Sequence, residues 1–293
     1  MGQINPSRPK SQSDLDAGLF ITATPIGNAR DITLRALDVL RTCDAILTED
    51  TRVTAKLLAI HAISRPLLTY NDHNAARARP SILKRLATGD RIALVSDAGV
   101  PLVSDPGYKL VREAMAAGTA VHVVPGASAV LAALVLSGLP TDRFLFAGFL
   151  PAASAARRAA LEELKALRAS LIFFESPRRL SETLRDLCDV LGSRPAAIAR
   201  ELTKLHEEVS RGGLDYLAHL YADRGPPRGE ITVIVGPPPQ QAPDSDLLDR
   251  LLDKALPFMP VRAAADLVSD ALGLPRRFAY ARALVRKEIA NAD

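Results

Sequence analysis

Tryptophan is absent from this 293-residue chain, and all aromatic residues together make up 4% of it. A ligand gripped mainly by stacked rings would find few partners here. Cysteine is scarce too. Cys43 and Cys188 follow no metal or disulfide spacing and read as small core residues of a protein kept in a reducing cytoplasm. The histidines (His61, His73, His122, His206, His219) share no ligand spacing, and "HEEVS" at His206 is not H-E-x-x-H, so no metal is expected. The richest apolar run, "ASAVLAALVLSGL" from Ala127, is too short to span a bilayer, so no membrane partner is expected. The G-x-x-x-x-G-K-[ST] of a P-loop is missing. So is the G-x-G-x-x-G of a dinucleotide turn, because "TPIGN" after the first strand offers Gly27 alone. "PGASA" is not the G-x-S-x-G elbow of hydrolases.

What is present is an ordinary globular composition, 48% hydrophobic and 24% charged, with a net charge of +4 that favours an anionic partner. Short β-branched runs, "LFITA", "AILT", "RIALV" and "AVHVV", alternate with helical patterns. In one of these, "DITLRALDVL", Asp31 reads as the N-cap. In another, "GYKLVREAMAAG", Gly118 closes the helix. That rhythm predicts a largely parallel α/β sheet. After a pause at Gly138–Thr141 a second α/β set follows, with strands "FLFAGFL", "SLIFFE", "AAIAR" and "EITVIVG". The expected organisation is a disordered tail over 1–17, an N-terminal α/β domain over 18–139 and a second over 140–237. A Pro-rich linker and helical appendage, broken at Gly273 and Pro275, occupy 238–293.

Each conspicuous polar stretch follows directly on a predicted strand: "TPIGN", "TEDTR", "SDAGVP", "PGAS" and "ESPRR". Ligands of open α/β sheets collect at the carboxyl ends of strands, so these loops predict a cleft. The bland readings compete residue by residue. Asp105-Pro106 reads as a helix cap followed by Pro at the first helical position. Ser128 is equally a cap or a ligand contact. The basic run Arg77, Arg79, Lys84 and Arg85 reads as a solvated helix face or a phosphate contact, and Pro80 argues against one unbroken helix there.

Taken in order, "ATPIGNARDITLRAL", "TEDTR", "SDAGVPLVSDPG", "VPGASA", "GFLP", "LIFFESPRRL", "ARELTK" and "GEITVIV" resemble the tetrapyrrole methylase superfamily. Within it they resemble the 16S ribosomal RNA cytidine 2′-O-methyltransferases. The resemblance runs from Gly18 to Gly236, and "LGLPRRFAYARAL" extends it into the appendage. It implies S-adenosylmethionine in the cleft between two α/β domains, methylation of the ribose of cytidine 1402 in the small ribosomal subunit, and a homodimer. On matching positions, the cofactor is expected at Pro25, Gly27, Asp97, Gly99, Val100, Leu102, Ser128, Ala129, Phe174 and Leu202. The sequence departs from the family at Val100, where Thr is common, so a hydroxyl contact is lost there. A base for the ribose hydroxyl is sought by location among Asp97, Glu49, Asp50 and Lys204. RNA phosphates are expected at Arg30, Arg52, Arg77, Arg79 and Arg178, with base stacking limited to Tyr70 or His73. The alternatives are methylation of a tetrapyrrole-like small molecule, and a non-catalytic ribosome assembly factor. The basic C-terminal segment weighs against the first, and the intact Gly/Pro loops against the second.

Overall fold

The computed structural model describes residues 15–239 and 245–290. Residues 1–14 of the expected tail and 240–244 of the expected linker lie outside that range. The chain separates into one compact unit up to Pro238 and another from Pro239 onward.

In the first unit, β1 (Gly18–Thr22), β2 (Ala45–Thr48), β3 (Leu67–Thr69), β4 (Arg91–Leu94) and β5 (Val121–Val124) form an all-parallel sheet in the order β3-β2-β4-β1-β5. Parallel strands need crossovers. Here α1 (Leu34–Thr42), α2 (Thr51–Ile60), α3 (Ala75–Ala87) and α4 (Tyr108–Ala116) supply them, and α5 (Ala129–Ser137) follows β5. Leu19, Ile21, Leu47 and Ile92 are buried with α3 and α4, while Phe20, Ile46 and Ala93 are buried with α1 and α2. With both faces covered, the strands must be apolar throughout, which is why they stand out in the sequence.

The second sheet contains β6 (Phe144–Phe149), β7 (Ser170–Glu175), β8 (Pro195–Arg200), β9 (Glu208–Gly213) and β10 (Ile231–Val235), in the order β6-β7-β10-β8-β9. β6 and β7 are parallel, and the remaining pairs are antiparallel. Its helices are α6 (Ser154–Leu164), α7 (Leu180–Leu191) and α8 (Leu214–Arg224), which bury Leu161, Leu184 and Leu217 against one face. The other face receives α5, whose Val130, Ala133 and Leu134 pack against Ile172, Ala197 and Ile234. Thus α5 follows β5 in the chain but packs on the second sheet, while Leu131 and Val135 on its other side are exposed.

Several sequence expectations need correction. β3 and β9 carry no strong strand signal, because both are edge strands, β3 short and β9 ("EVSRGG") polar. Thr33, not Asp31, caps α1, its Oγ1 accepting from the Ala36 amide at 3.1 Å; Asp31 ends a 3-10 turn, Ala29–Asp31. α3 runs through Pro80, forgoing one bond near its start. α4 begins at Tyr108 with Gly107 as its cap, so Asp105-Pro106 is not the cap.

Among the described residues, the second unit has three helices, α9 (Ser245–Ala255), α10 (Val261–Leu272) and α11 (Arg276–Ala290), around Leu248, Leu252, Val268, Ala279 and Ala283. Gly273, at φ +63°, ends α10 where the sequence predicts. The basic C-terminal segment is largely neutralised from within. Arg282 forks onto Asp249 at 2.6 Å, Arg286 onto Asp253, and Arg276 pairs with Asp266.

Candidate functional site

Strand order decides which loops meet. β4, β1 and β5 are adjacent and parallel, so the loops after them (95–107, 23–28 and 125–128) stand side by side, with the start of α2 next to them. Thr24 and Gly99 exchange both backbone hydrogen bonds, at 2.9 and 3.1 Å, which fastens the first two loops together. Gly99 sits at φ +82°, a left-handed conformation that glycine adopts at least cost. Ser96 Oγ donates to the Ala98 and Gly99 carbonyls, each at 3.2 Å, and stiffens the bend. In the second sheet β7 and β8 both oppose β10, so their carboxyl ends and the start of β10 share an edge. The two edges enclose a cavity of about 400 Å³.

Gly99, Val100, Ser128, Ala129, Phe174 and Leu202, all expected at the cofactor, line this cavity. The cap reading of Ser128 holds, its Oγ accepting from the Leu131 amide at 3.4 Å, and the residue also lines the cavity. Pro25, Gly27 and Asp97 instead line a second cavity of about 290 Å³, which shares Ile26, Ala98 and Glu230 with the first. Leu102 lines neither. With φ +75°, its side chain packs into the core of the first sheet.

The largest surprise is Asp105. It lines the main cavity and is pushed up to about 6 by burial first and then by Asp97. Glu49 is pushed further, to about 7, by burial first and then by the carboxylates of Asp105, Asp97 and Asp72. Carboxylates that crowd one another cannot all ionise together, and such crowding sets a proton acceptor near neutrality. Phe149, Glu175 and Thr232, which lie in "GFLP", "LIFFESPRRL" and "GEITVIV" but are not among the expected cofactor contacts, also line the cavity. Only the pairing of β7 with β10 brings the last two together.

The other base candidates are engaged. Asp50 caps α2 and grips Arg52, whose hydrogen bonds hold its carboxyl near 2, a poor proton acceptor. Lys204 Nζ lies 2.8 Å from Glu201 and 2.9 Å from Glu230. Burial alone would lower it, but the two carboxylates raise it, so it stays an ammonium ion. Asp97 is exposed and accepts from the Asp50 amide at 3.2 Å. Among the RNA candidates, Arg30, His73, Arg77 and Arg178 are exposed, and Arg52 is exposed while paired with Asp50. Arg79 is mostly buried, 2.9 Å from Glu113 and bonded to Tyr70. Tyr70 is itself 1% exposed, so both side chains are held within the fold.

Two sheets connected through α5, with a cavity between their loop edges, form an α/β protein with room for a small ligand. Residues 18–218 match the Tetrapyrrole (Corrin/Porphyrin) Methylases, and residues 241–287 match the RsmI C-terminal HTH domain. The chain belongs to the tetrapyrrole methylase family and is a methyltransferase. It is 49% identical to a ribosomal RNA small subunit methyltransferase I of Mesorhizobium japonicum, covering 98% of this chain and 96% of that one. It is 51% identical to the protein of the same name from Erythrobacter litoralis, covering 94% and 98%. In fold it resembles a uroporphyrin-III C-methyltransferase from Thermus thermophilus complexed with S-adenosylhomocysteine, with a TM-score of 0.53 and 19% identity, covering 75% of this chain and 97% of that one.

Proposed function

We propose that this chain transfers a methyl group from S-adenosylmethionine to the ribose 2′-hydroxyl of cytidine 1402 in 16S ribosomal RNA of the small subunit. What carries the reading is that the likeness to the small subunit methyltransferases extends over 98% of the chain, cleft and C-terminal unit included.

The residues fit the cofactor. The apolar side chains of Val130, Phe174, Leu202 and Ile231 suit its adenosine, and the backbone about Gly99 and the start of α5 suits its charged amino-acid end. When bound, S-adenosylmethionine supplies an electrophilic methyl group on a sulfonium. The chain's part is then to align the acceptor, exclude water and take a proton. Glu49 lines neither cavity, but burial and the Asp105 charge raise it to about 7, which suits it to accept the proton. Arg30, Arg77 and Arg178 are exposed cations able to meet phosphates. The exposed apolar residues Val123, Leu131 and Val135 on β5 and α5 support a homodimer. A ribosomal substrate supports a cytoplasmic location. No described helix is long and apolar enough to cross a membrane.

The test is transfer of labelled methyl to purified small subunits that lack the modification, with the position read by primer extension. Label at the 2′-oxygen of cytidine 1402, and none on uroporphyrinogen, is expected. Absence of transfer to any subunit overturns the reading.

A further inference from the structure

The smaller cavity, of about 290 Å³, stands beside the cofactor cavity and shares Ile26, Ala98 and Glu230 as a common wall. We propose that it receives the acceptor nucleoside, with the base against α2 and the ribose at the common wall, and that Lys204 positions a ribose oxygen. This rests on the methyl-transfer reading above.

Three observations carry it. First, an acceptor must lie next to the methyl donor, and the smaller cavity adjoins the cofactor cavity at Ile26, Ala98 and Glu230. Second, the lining is divided as a nucleoside is. Val53, Leu57 and Ile60 of α2, with Ile26, are apolar, whereas Ser96, Asp97, Lys204 and Glu230 are polar. Aliphatic walls for the base agree with the scarcity of aromatic residues. Third, the loop that presents Lys204 is strained and held from several sides. Glu201 and Thr203 stand at φ +51° and +64°. The Glu201 amide donates to Glu230 O at 3.0 Å, the Thr203 amide to Glu207 Oε2 at 2.6 Å, and the Asn28 amide to Thr203 Oγ1 at 3.1 Å. Backbone strain maintained by its surroundings is characteristic of functional sites. An ammonium has three donors, and Glu201 and Glu230 use two. The third is available for a substrate oxygen.

Ile60→Trp and Lys204→Met test this in the full chain, with Lys204→Arg as the conservative control. Ile60 is 65% exposed at the rim, so a larger side chain there narrows the cavity without disturbing the core. Calorimetry reads S-adenosylmethionine affinity, and steady-state methylation of small subunits reads kcat and KM separately. Ile60→Trp and Lys204→Met are expected to keep cofactor affinity within about twofold while kcat/KM for subunits falls about 100-fold, with partial recovery in Lys204→Arg. Unchanged kcat/KM in both overturns the proposal. Loss of cofactor affinity in step with transfer also overturns it, because the cavity then belongs to the cofactor. If the unaltered chain binds cofactor but methylates no subunit, the substrate reading beneath it fails instead.

Discussion

The Asn28 amide donates to Thr203 Oγ1 at 3.1 Å across 175 residues of sequence, tying the turn after β1 to the strained loop after β8. Gly27 sits at this seam. A Cβ there would lie 2.5 Å from Lys204 Cγ, 2.8 Å from Thr203 Oγ1 and 2.9 Å from the Leu202 carbonyl. The backbone carbonyl cannot swing aside as a side chain can. Gly27→Ala is therefore expected to cost about 1–3 kcal/mol of stability, as overpacking does. Urea unfolding measures it, and an unchanged midpoint would show that the seam yields freely.

Gly99 makes a different prediction. A Cβ there would meet Ile26 Cγ2 at 3.4 Å and Ala127 O at 3.7 Å, which is ordinary contact, so the penalty lies in its φ of +82°. A side chain that pulls this residue out of the left-handed region breaks the exchange with Thr24 and reshapes the cavity floor. Gly99→Leu should weaken S-adenosylmethionine binding by about tenfold or more, since left-handed strain costs roughly 1–2 kcal/mol. Calorimetric affinity equal to that of the unaltered chain would remove this loop from the site.

The raised Glu49 carboxyl predicts a pH dependence of activity. Its carboxyl is raised from 4.5 to about 7, so the deprotonated form, and with it methyl transfer, should rise with pH and level off above about 7. Between pH 4.5 and 7 the folded chain retains a proton that the unfolded chain has released, so this group's contribution to stability falls as pH rises through that window. Glu49→Gln should thus flatten the rate profile, lower the rate by about 10²–10⁴-fold, and raise the melting temperature at pH 8 but not at pH 4. A Gln variant with the original pH profile assigns the proton to another group.

The buried pair of Arg157 and Asp186, 2.7 Å apart, is structural. Burial would raise the Asp186 carboxyl, but hydrogen bonds from Arg157, Ser154 and Arg158 outweigh it and hold the group below its ordinary 3.8. The stability this supplies is fully present above pH 3.8 and lost as pH falls further. Asp186→Ala strands a guanidinium that is 1% exposed and should cost about 3–5 kcal/mol in denaturant unfolding at pH 7. A loss near zero would mean that water reaches Arg157.

The arginines should separate by role. Arg178→Gln and Arg77→Gln remove exposed charges and should weaken subunit binding, each lowering the salt slope by about 1. Arg79→Ala breaks the contacts with Glu113 and Tyr70 and should lower the melting temperature instead. Filter binding across a salt series distinguishes them, and an Arg79 effect on the slope would reverse this assignment.

Much of the architecture is legible in the sequence because it rests on local chemistry. β1, β2 and β4 are buried on both faces and must be apolar, so they announce themselves; β3 and β9, at the edges, need not be and do not. Gly273 and Pro275 mark the break between α10 and α11, since few other residues serve there. Loops that follow strands can be picked out as a set, and the order of their motifs leads to the family.

What no local pattern carries is which loops face one another. The insertion of β4 between β2 and β1 sets Asp97 against the Asp50 amide, and the reversal of β10 brings Glu230 to Lys204. Asp105 shows the difference most plainly: "SDPG" alone reads as a helix cap, because Asp before Pro commonly is one. The chain starts its helix two residues later and leaves the carboxylate in the cavity beside other acids. Residue types and their spacing determined by themselves the strands, the breaks and the kinship of this protein. Only tertiary packing decided which carboxylates are desolvated together, because burial and like-charge crowding arise between segments far apart in the chain.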